Sequence, residues 1–248
     1  MLRTSKLIES LSLMAMRPDD QLEFSRETYA RPHNVAAWGS DDFTQGGLDP
    51  DEQKLLDKLP FKRGRLLLLC VGGGREAIPL AQAGFSVTGV DFVPEMVEQA
   101  RTNAEKAGVR FDGLVQEISR LDLPGESYDV VWLSAAMYSC VPTGQRRIAM
   151  LERIHHALRP GGFFLCQFHC GGEPLSPRRE RLKRGFALLT LGNFTYEPGD
   201  TLWGNSEFLH CFQSERELRA EFNEGGFGVA DLRFYGGNGR GDAILRRA

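Results

Sequence analysis

The sequence contains no long hydrophobic run and no excess of either charge. Its longest apolar-rich stretches, Leu66–Val71 and Phe163–Phe168, are far shorter than the roughly 20 residues that span a bilayer. Its 30 lysine and arginine residues face 33 aspartate and glutamate residues, a net charge of -3, whereas proteins that hold nucleic acid by its phosphates are usually basic. We therefore expect a cytoplasmic protein that has neither a membrane nor a nucleic acid as its partner.

Cysteine is sparse and follows no pattern. The chain has five cysteines in 248 residues, and an odd number spread through a large domain disfavours a disulfide framework. Cys166 and Cys170 lie close together, but no second pair matches them. No metal site is therefore predicted.

Beyond about residue 60, short apolar runs alternate with helical patterns. Leu66–Val71 is a continuous apolar run bounded by glycine, which is typical of a strand buried on both faces of a parallel sheet. The last two predicted strands are joined by only Gly236–Gly241, which is too short for a crossover, so they form a hairpin. The pattern predicts an α/β fold with a doubly wound, mostly parallel seven-stranded sheet and an antiparallel final strand. The predicted strands are 66–71, 86–90, 109–115, 128–133, 163–168, 229–235 and 242–246.

Two parts of the chain fall outside this regular pattern. We assign residues 1–60 to an N-terminal helical extension and residues 61–248 to the Rossmann-like domain, with an irregular insertion at about 171–204. The extension carries mixed aromatic and polar side chains, which suit a lid that excludes water from a pocket. A surface position explains these side chains equally well. They are Tyr29, Arg31, His33 and Trp38.

A glycine-rich turn follows the first predicted strand. Gly72, Gly73 and Gly74 stand between this strand and a helix, where glycine lets the backbone approach a ligand closely. Asp91 lies 19 residues after Gly72 at the end of the second strand, where a carboxylate can accept both hydroxyls of a ribose. These residues predict a nucleoside cofactor. Because Gly72, Gly74 and Ala77 also fit the G-x-G-x-x-A pattern, an NAD-dependent oxidoreductase stays an alternative.

Three further segments resemble the class I, Rossmann-like S-adenosylmethionine-dependent methyltransferases. They are Asp91–Met96 (DFVPEM), the stretch 116–124 (QEISRLDLP) and Leu158–Phe164 (LRPGGFF). The third is the most specific, because NAD-dependent dehydrogenases do not usually show it. The chain departs from the family at two positions, with Leu68 in place of the usual acidic residue and Cys70 in place of the first glycine.

The resemblance implies S-adenosyl-L-methionine as cofactor and assigns its contacts. Asp91 would bind the ribose, Phe92 and Met96 would flank the adenine, and Glu117 would face the adenine amino group beside the backbone of the next residue. The cofactor-binding residues implied are Gly72, Gly73, Gly74, Asp91, Phe92, Met96, Glu117, Ile118 and Ser134.

The acceptor pocket of a doubly wound sheet lies beyond the carboxyl ends of its strands. Tyr138 follows the fourth strand and His169 ends the fifth, so we take them as catalytic candidates that orient the acceptor or remove its proton. Packing of the tyrosine and a hydrogen bond from the histidine to a loop carbonyl are the structural alternatives.

The expected function is therefore methyl transfer by in-line displacement to a small-molecule acceptor. Oxygen or nitrogen is preferred to carbon as the accepting atom. A methyltransferase that acts on protein or RNA is the other alternative, and the expected assembly is a monomer or homodimer.

Overall fold

The computed structural model describes residues 12–171, 177–203, 207–235 and 239–248. Seven strands form one sheet in the order β3-β2-β1-β4-β5-β9-β8. Strands β1 to β5 are parallel, and β9 runs antiparallel between β5 and β8, which confirms the predicted seven-stranded sheet. The strands are β1 Gly64–Leu69, β2 Phe85–Asp91, β3 Phe111–Val115, β4 Tyr128–Leu133, β5 Leu158–His169, β6 Asp200–Trp203, β7 Glu207–His210, β8 Phe227–Tyr235 and β9 Arg240–Arg247.

Helices surround the sheet and precede it. The extension before β1 is helical, as predicted, and no helix among the described residues is long and apolar enough to cross a membrane. The helices are α1 Pro18–Tyr29, α2 Pro32–Trp38, α3 Asp41–Thr44, α4 Pro50–Asp57, α5 Ala77–Gln82, α6 Pro94–Lys106, α7 Gly144–Ala157, α8 Pro177–Thr190 and α9 Glu215–Glu224.

Strand β1 divides the hydrophobic core into two layers. Leu67 and Leu69 pack with apolar residues of α7 and α9, whereas Leu66 and Leu68 pack with those of α4, α5 and α6. This alternation follows from the two-residue period of a strand. Because both faces are covered, every position of the run is apolar, and an acidic residue at Leu68 would stand inside the second layer.

The insertion is more regular than expected. It contains helix α8, and β6 pairs antiparallel with β7, so the element continues to His210 and does not end at residue 204. The prediction of an irregular segment was wrong because each strand has only four residues, too few to show a clear alternation. A second difference lies at β5, which begins at Leu158 because residues 159–162 form an irregularity inside its ladder.

A buried ionic network attaches this hairpin to the helices. The Arg147 side chain, 1% exposed on α7, donates to Glu221 of α9 at 2.6 Å and to Glu197 before β6 at 2.8 Å. His210 of β7 lies 2.8 Å from Asp200 through Nδ1. These contacts offset the cost of burying the charges and fix β6 and β7 beside the sheet.

Protonation of His210 is expected to make the stability of the folded protein depend on pH. Burial lowers its pKa, but hydrogen bonds from Nδ1 to Asp200 and from Nε2 to Glu217 outweigh burial and raise it above the usual value. A histidine whose folded-state pKa is raised contributes stability below its unfolded pKa, and this stability is lost as the pH rises through the folded pKa.

We therefore expect His210→Gln to lower the free energy of unfolding by about 1–3 kcal/mol at acidic pH. The difference from the parent should shrink as the pH rises above about 6.5, the unfolded pKa of histidine. Denaturant unfolding of both proteins at several pH values measures it. A difference that stays constant with pH would contradict the charged state of His210.

Candidate functional site

The glycine turn is held against the end of β2 by Asp91. Gly72 has φ +50°, and its N–H donates to Asp91 Oδ2 at 3.0 Å, while Asp91 Oδ1 accepts from the Val93 N–H at 3.0 Å. The carboxyl group is buried, and burial raises its pKa against the opposing effect of these backbone hydrogen bonds. Asp91 thus shapes the turn and presents its carboxylate at the edge where a ribose is expected.

The backbone of the N-terminal extension packs directly on this turn. A Cβ at Gly73 would lie 2.3 Å from the Trp38 carbonyl oxygen and 2.6 Å from the Gly39 Cα. The Asn103 side chain of α6 donates to the carbonyls of both Gly39, at 3.0 Å, and Gly73, at 2.9 Å. One carboxamide therefore joins α6, the end of α2 and the glycine turn.

A second contact joins the extension to the turn through charge. Arg75 donates to Glu52 of α4 at 2.7 and 2.8 Å and to the Gly47 carbonyl at 2.6 Å. The Glu52 side chain is 1% exposed. Residues 39–57 are consequently fixed to the turn and do not form a free cover.

The four lid candidates are not brought together. Arg31 and His33 are exposed, and Trp38 is 41% exposed with its ring against Phe43. Tyr29, at the end of α1, donates from its hydroxyl to Glu207 of β7. Of the four, the structure places Tyr29 at the contact between the extension and the insertion.

Two carboxyl groups of the site were not predicted. Glu76 is buried at the start of α5, where its Oε1 accepts from Ser134 Oγ at 2.6 Å, and burial raises its pKa. Glu76 supplies a buried carboxyl group beside the turn. The strand before the turn has Leu68 where class I methyltransferases usually have an acidic residue. The position of Glu76 directly after the glycine turn was the available signal. Glu207 carried none, because it lies on a strand beyond the predicted insertion.

The residues expected around the adenine follow β2 and β3. Phe92, Val115 and Glu117 line one cleft, with α1 on its other side. The Glu117 carboxylate accepts from the Ser119 N–H at 2.7 Å and from the Ser119 hydroxyl at 2.6 Å. Phe92 and Glu117 are therefore brought together, whereas the side chains of Met96 and Ile118 are buried.

Of the two catalytic candidates, Tyr138 has its side chain in the hydrophobic core. Its side chain is fully buried, its hydroxyl donates to Glu221 at 2.8 Å, and its ring stacks on Phe212. Burial first, and then Glu221, raises its pKa well above the usual value. The hydroxyl is committed to the network of α7 and α9, and this placement matches the packing alternative.

His169 ends β5 and is half-buried. Burial and then Arg240 lower its pKa, with a hydrogen bond to the Gly239 backbone opposing them. The imidazole is therefore neutral at neutral pH and able to accept a proton. The contact with Gly239 matches the loop alternative, so a catalytic role for His169 stays a prediction.

Glu197, Asp200 and His210 offer ligand atoms within 4.8 Å of one another, a grouping that a metal ion can use. In this protein the cation beside them is the guanidinium of Arg147, which contacts Glu197. Both ring nitrogens of His210 are also hydrogen-bonded to carboxylates. The candidate ligand atoms of Glu197, Asp200 and His210 are therefore already in contact with other groups of the chain.

A glycine turn between β1 and α5, with an acidic residue at the end of β2, defines a Rossmann-like nucleotide-binding protein. The profile of a methyltransferase domain matches residues 66–162. A ubiquinone biosynthesis O-methyltransferase of Paramagnetospirillum magneticum is 41% identical over 106 residues, which are 43% of this chain and 41% of that protein. An uncharacterized methyltransferase of Synechocystis sp. is 34% identical over 122 residues, 48% of this chain and 54% of that protein. The chain thus spans about half the length of the curated relatives it matches.

Solved structures share the fold over most of the chain. The 1,6-didemethyltoxoflavin-N1-methyltransferase of Burkholderia thailandensis, crystallised with 1,6-didemethyltoxoflavin and S-adenosylhomocysteine, has a TM-score of 0.65 at 17% identity and covers 93% of this chain and 90% of its own. A methyltransferase of Methanosarcina mazei has a TM-score of 0.59 at 23% identity and covers 81% and 98%. Residues 66–162 thus match a methyltransferase domain and the whole sheet has the class I methyltransferase fold, which supports an S-adenosylmethionine-dependent methyltransferase over the alternative of an NAD-dependent oxidoreductase.

The residues present fit the cofactor of class I methyltransferases. A Cβ at Gly72 would meet nothing within 4 Å, so a ligand can approach the turn closely at this residue. Asp91 presents a carboxylate, and Phe92 and Glu117 line a neighbouring cleft. These residues would hold the nucleoside, with Glu76 and Ser134 beside the turn.

We expect Asp91→Ala to weaken S-adenosylhomocysteine binding by roughly 2 kcal/mol or more, because two ribose hydroxyls lose a charged acceptor. Calorimetry measures the affinity. The exposed Asp112 of β3 is the matched control, and Asp112→Ala should bind as the parent does. Equal affinity of Asp91→Ala and the parent would remove Asp91 from the ribose site.

Gly73→Ala should lower the free energy of unfolding by about 1–3 kcal/mol, because its Cβ overlaps the backbone at Trp38 and Gly39. The control is Gly185→Ala in α8, where a Cβ meets nothing within 4 Å. That change should stabilise the protein by about 0.5–1 kcal/mol through helix propensity. Denaturant unfolding compares the two, and equal stability of Gly73→Ala and the parent would contradict the close packing of the extension.

Proposed function

We propose that this protein transfers the methyl group of S-adenosylmethionine to an oxygen or nitrogen atom of a small molecule. The observation that carries the proposal is the buried carboxylate of Asp91, which accepts from the Gly72 N–H of the glycine turn, together with the carboxylates of Glu76 and Glu117 that act on Cys70 at the start of this turn. Such a group of carboxylates suits a positively charged sulfonium cofactor.

The chain's own residues bind and orient the reactants. The bound cofactor supplies a methyl group already activated on sulfur, so the protein has to align the acceptor and exclude water. Asp91 and the glycine turn hold the nucleoside, Phe92 and Glu117 border the adenine, and α1 covers this cleft. His169, neutral at neutral pH, is available at the end of β5 to accept a proton.

The nature of the acceptor is supported by what the relatives are named for. One acts in ubiquinone biosynthesis as an O-methyltransferase and another methylates N1 of 1,6-didemethyltoxoflavin. These names favour oxygen or nitrogen over carbon. The near balance of charge in the chain favours a small molecule over RNA, and we propose a cytoplasmic monomer or homodimer.

The experiment uses S-adenosylmethionine with a radiolabelled methyl group. The protein is incubated with the small-molecule, protein and RNA fractions of one cell extract, and Asp91→Ala serves as the control. We expect label in the small-molecule fraction and loss of this label with the variant. Label in protein or RNA would establish the alternative acceptor class, and no transfer to any fraction would contradict the activity.

A further inference from the structure

Glu207 receives two hydrogen bonds at the contact between the N-terminal extension and the insertion. Its Oε1 accepts from the hydroxyl of Tyr29, which ends α1, and lies 3.6 Å from Cys140 Sγ. Cys140 lies in the short helix Met137–Cys140 that follows β4. A carboxylate from β7 therefore stands where α1 and the loop after β4 meet.

The charge of Glu207 also acts on a thiol at the start of the glycine turn. Burial is the largest cause of the raised pKa of Cys70, and the next causes are the carboxylates of Asp91, Glu117, Glu76 and Glu207. Cys70 directly follows Leu69, the last residue of β1, at the position where class I methyltransferases usually have their first glycine.

The thiol of Cys140 and the hydroxyl of Tyr29 are likewise uncharged. Burial and then Glu207 and Cys70 raise the pKa of Cys140, so both thiols stay uncharged at neutral pH. Burial and Glu207 likewise raise the pKa of Tyr29, which remains a hydrogen-bond donor. Tyr29, Cys70 and Cys140 therefore present uncharged side chains that can donate hydrogen bonds near these carboxylates.

Glu207 has no cationic partner among the residues that the structure describes. Both of its hydrogen bonds fall on Oε1, and within the described ranges no side chain or backbone group donates to Oε2. Two other half-buried carboxylates differ in this respect, because Glu197 of the insertion contacts Arg147 and Glu217 of α9 contacts His210. Because Glu207 is half-buried and Oε2 is not enclosed away from water, this oxygen is available to accept a hydrogen bond from a ligand.

We propose that Glu207 is the catalytic carboxylate of this enzyme, accepting a hydrogen bond and then the proton of an acceptor hydroxyl group that enters between Tyr29 and the thiols Cys70 and Cys140. This assignment rests on the proposed methyl transfer. Tyr29 holds Glu207 in place from the side of α1. An anionic acceptor is disfavoured, because Asp91, Glu117 and Glu76 already make this region negative.

The proposed reaction involves the acceptor hydroxyl group, the methyl group on sulfur and the carboxylate of Glu207. The acceptor oxygen forms a bond to the methyl carbon as the carbon–sulfur bond breaks, and the electron pair of that bond stays on sulfur. The acceptor's proton passes to Glu207, which later releases it to water. No further reactant is required, and a carboxylate acting as a general base contributes about a hundredfold or more to the rate.

A purely structural role for Glu207 makes a different prediction. If Glu207 only clamps α1, removing either end of the Tyr29–Glu207 hydrogen bond has the same effect. If Glu207 handles the acceptor's proton, Glu207→Gln is far more damaging than Tyr29→Phe. The matched control is Glu215→Gln, since Glu215 is an exposed glutamate of α9 paired with Arg219.

The test uses catechol, a hydroxyl-bearing probe that is uncharged at neutral pH, and calorimetry follows its binding. Its binding to the protein saturated with S-adenosylhomocysteine is titrated first, and methyl transfer to it from S-adenosylmethionine is measured second. For Glu207→Gln we expect the Kd of the probe to rise by about tenfold and the transfer rate to fall by about a hundredfold. Glu215→Gln should keep both values within about threefold of the parent, whereas Tyr29→Phe, which leaves the carboxylate of Glu207 in the site, should lower the transfer rate by no more than about tenfold, the contribution of one hydrogen bond.

Affinity for S-adenosylhomocysteine is measured by calorimetry on every variant, so that a failure of the proposed methyl transfer can be told apart from a failure of the role of Glu207. A parent that does not bind it contradicts the proposed function itself. A parent that binds it and methylates the probe, with Glu207→Gln behaving as the parent does, overturns only the role of Glu207. Equal losses in Glu207→Gln and Tyr29→Phe would establish the clamp, and failure of the loaded parent to bind the probe would overturn the hydroxyl acceptor.

Discussion

The carboxamide of Asn103 holds two carbonyl groups that belong to distant parts of the chain. Its hydrogen bonds to the Gly39 and Gly73 carbonyls hold the end of α2 against the glycine turn. The absence of a side chain at Gly73 makes this close contact possible. The salt bridge between Arg75 and Glu52 repeats the connection through α4. The cofactor turn is therefore supported from outside the sheet, and its shape depends on residues that precede β1.

Charge in the site is distributed unequally. The carboxyl groups of Asp91, Glu76, Glu117 and Glu207 act on Cys70 at the start of the turn. The basic side chain of Arg75 nearby forms a salt bridge with Glu52. The core face at Leu68 cannot hold a carboxylate without burying it among apolar residues. The buried carboxyl groups beside the turn come from other positions, Glu52, Glu76 and Asp91.

The sequence predicted the features that have a local signal. The sheet and the expected cofactor edge were predicted from the apolar run of β1, the glycine turn and the spacing to Asp91. These signals are local, because the hydrophobic period of a strand and the residue types of a turn involve neighbouring residues. Tyr138 could not be placed in this way: its position after β4 is local, but the direction of its side chain is decided by Glu221 and Phe212 from remote elements. Glu207 was missed for the same reason, since its neighbours Tyr29 and Cys140 are far away in the chain.

The attachment of residues 39–57 to the glycine turn has a consequence for how such a protein can diverge. A segment that only covered an acceptor pocket could be exchanged between relatives as a cassette, altering what is methylated and nothing else. Here Gly39, Gly47 and Glu52 contact the turn through Asn103 and Arg75. Exchanging this segment alone would disturb the grip on the cofactor, so the extension and the glycine turn are constrained to change together.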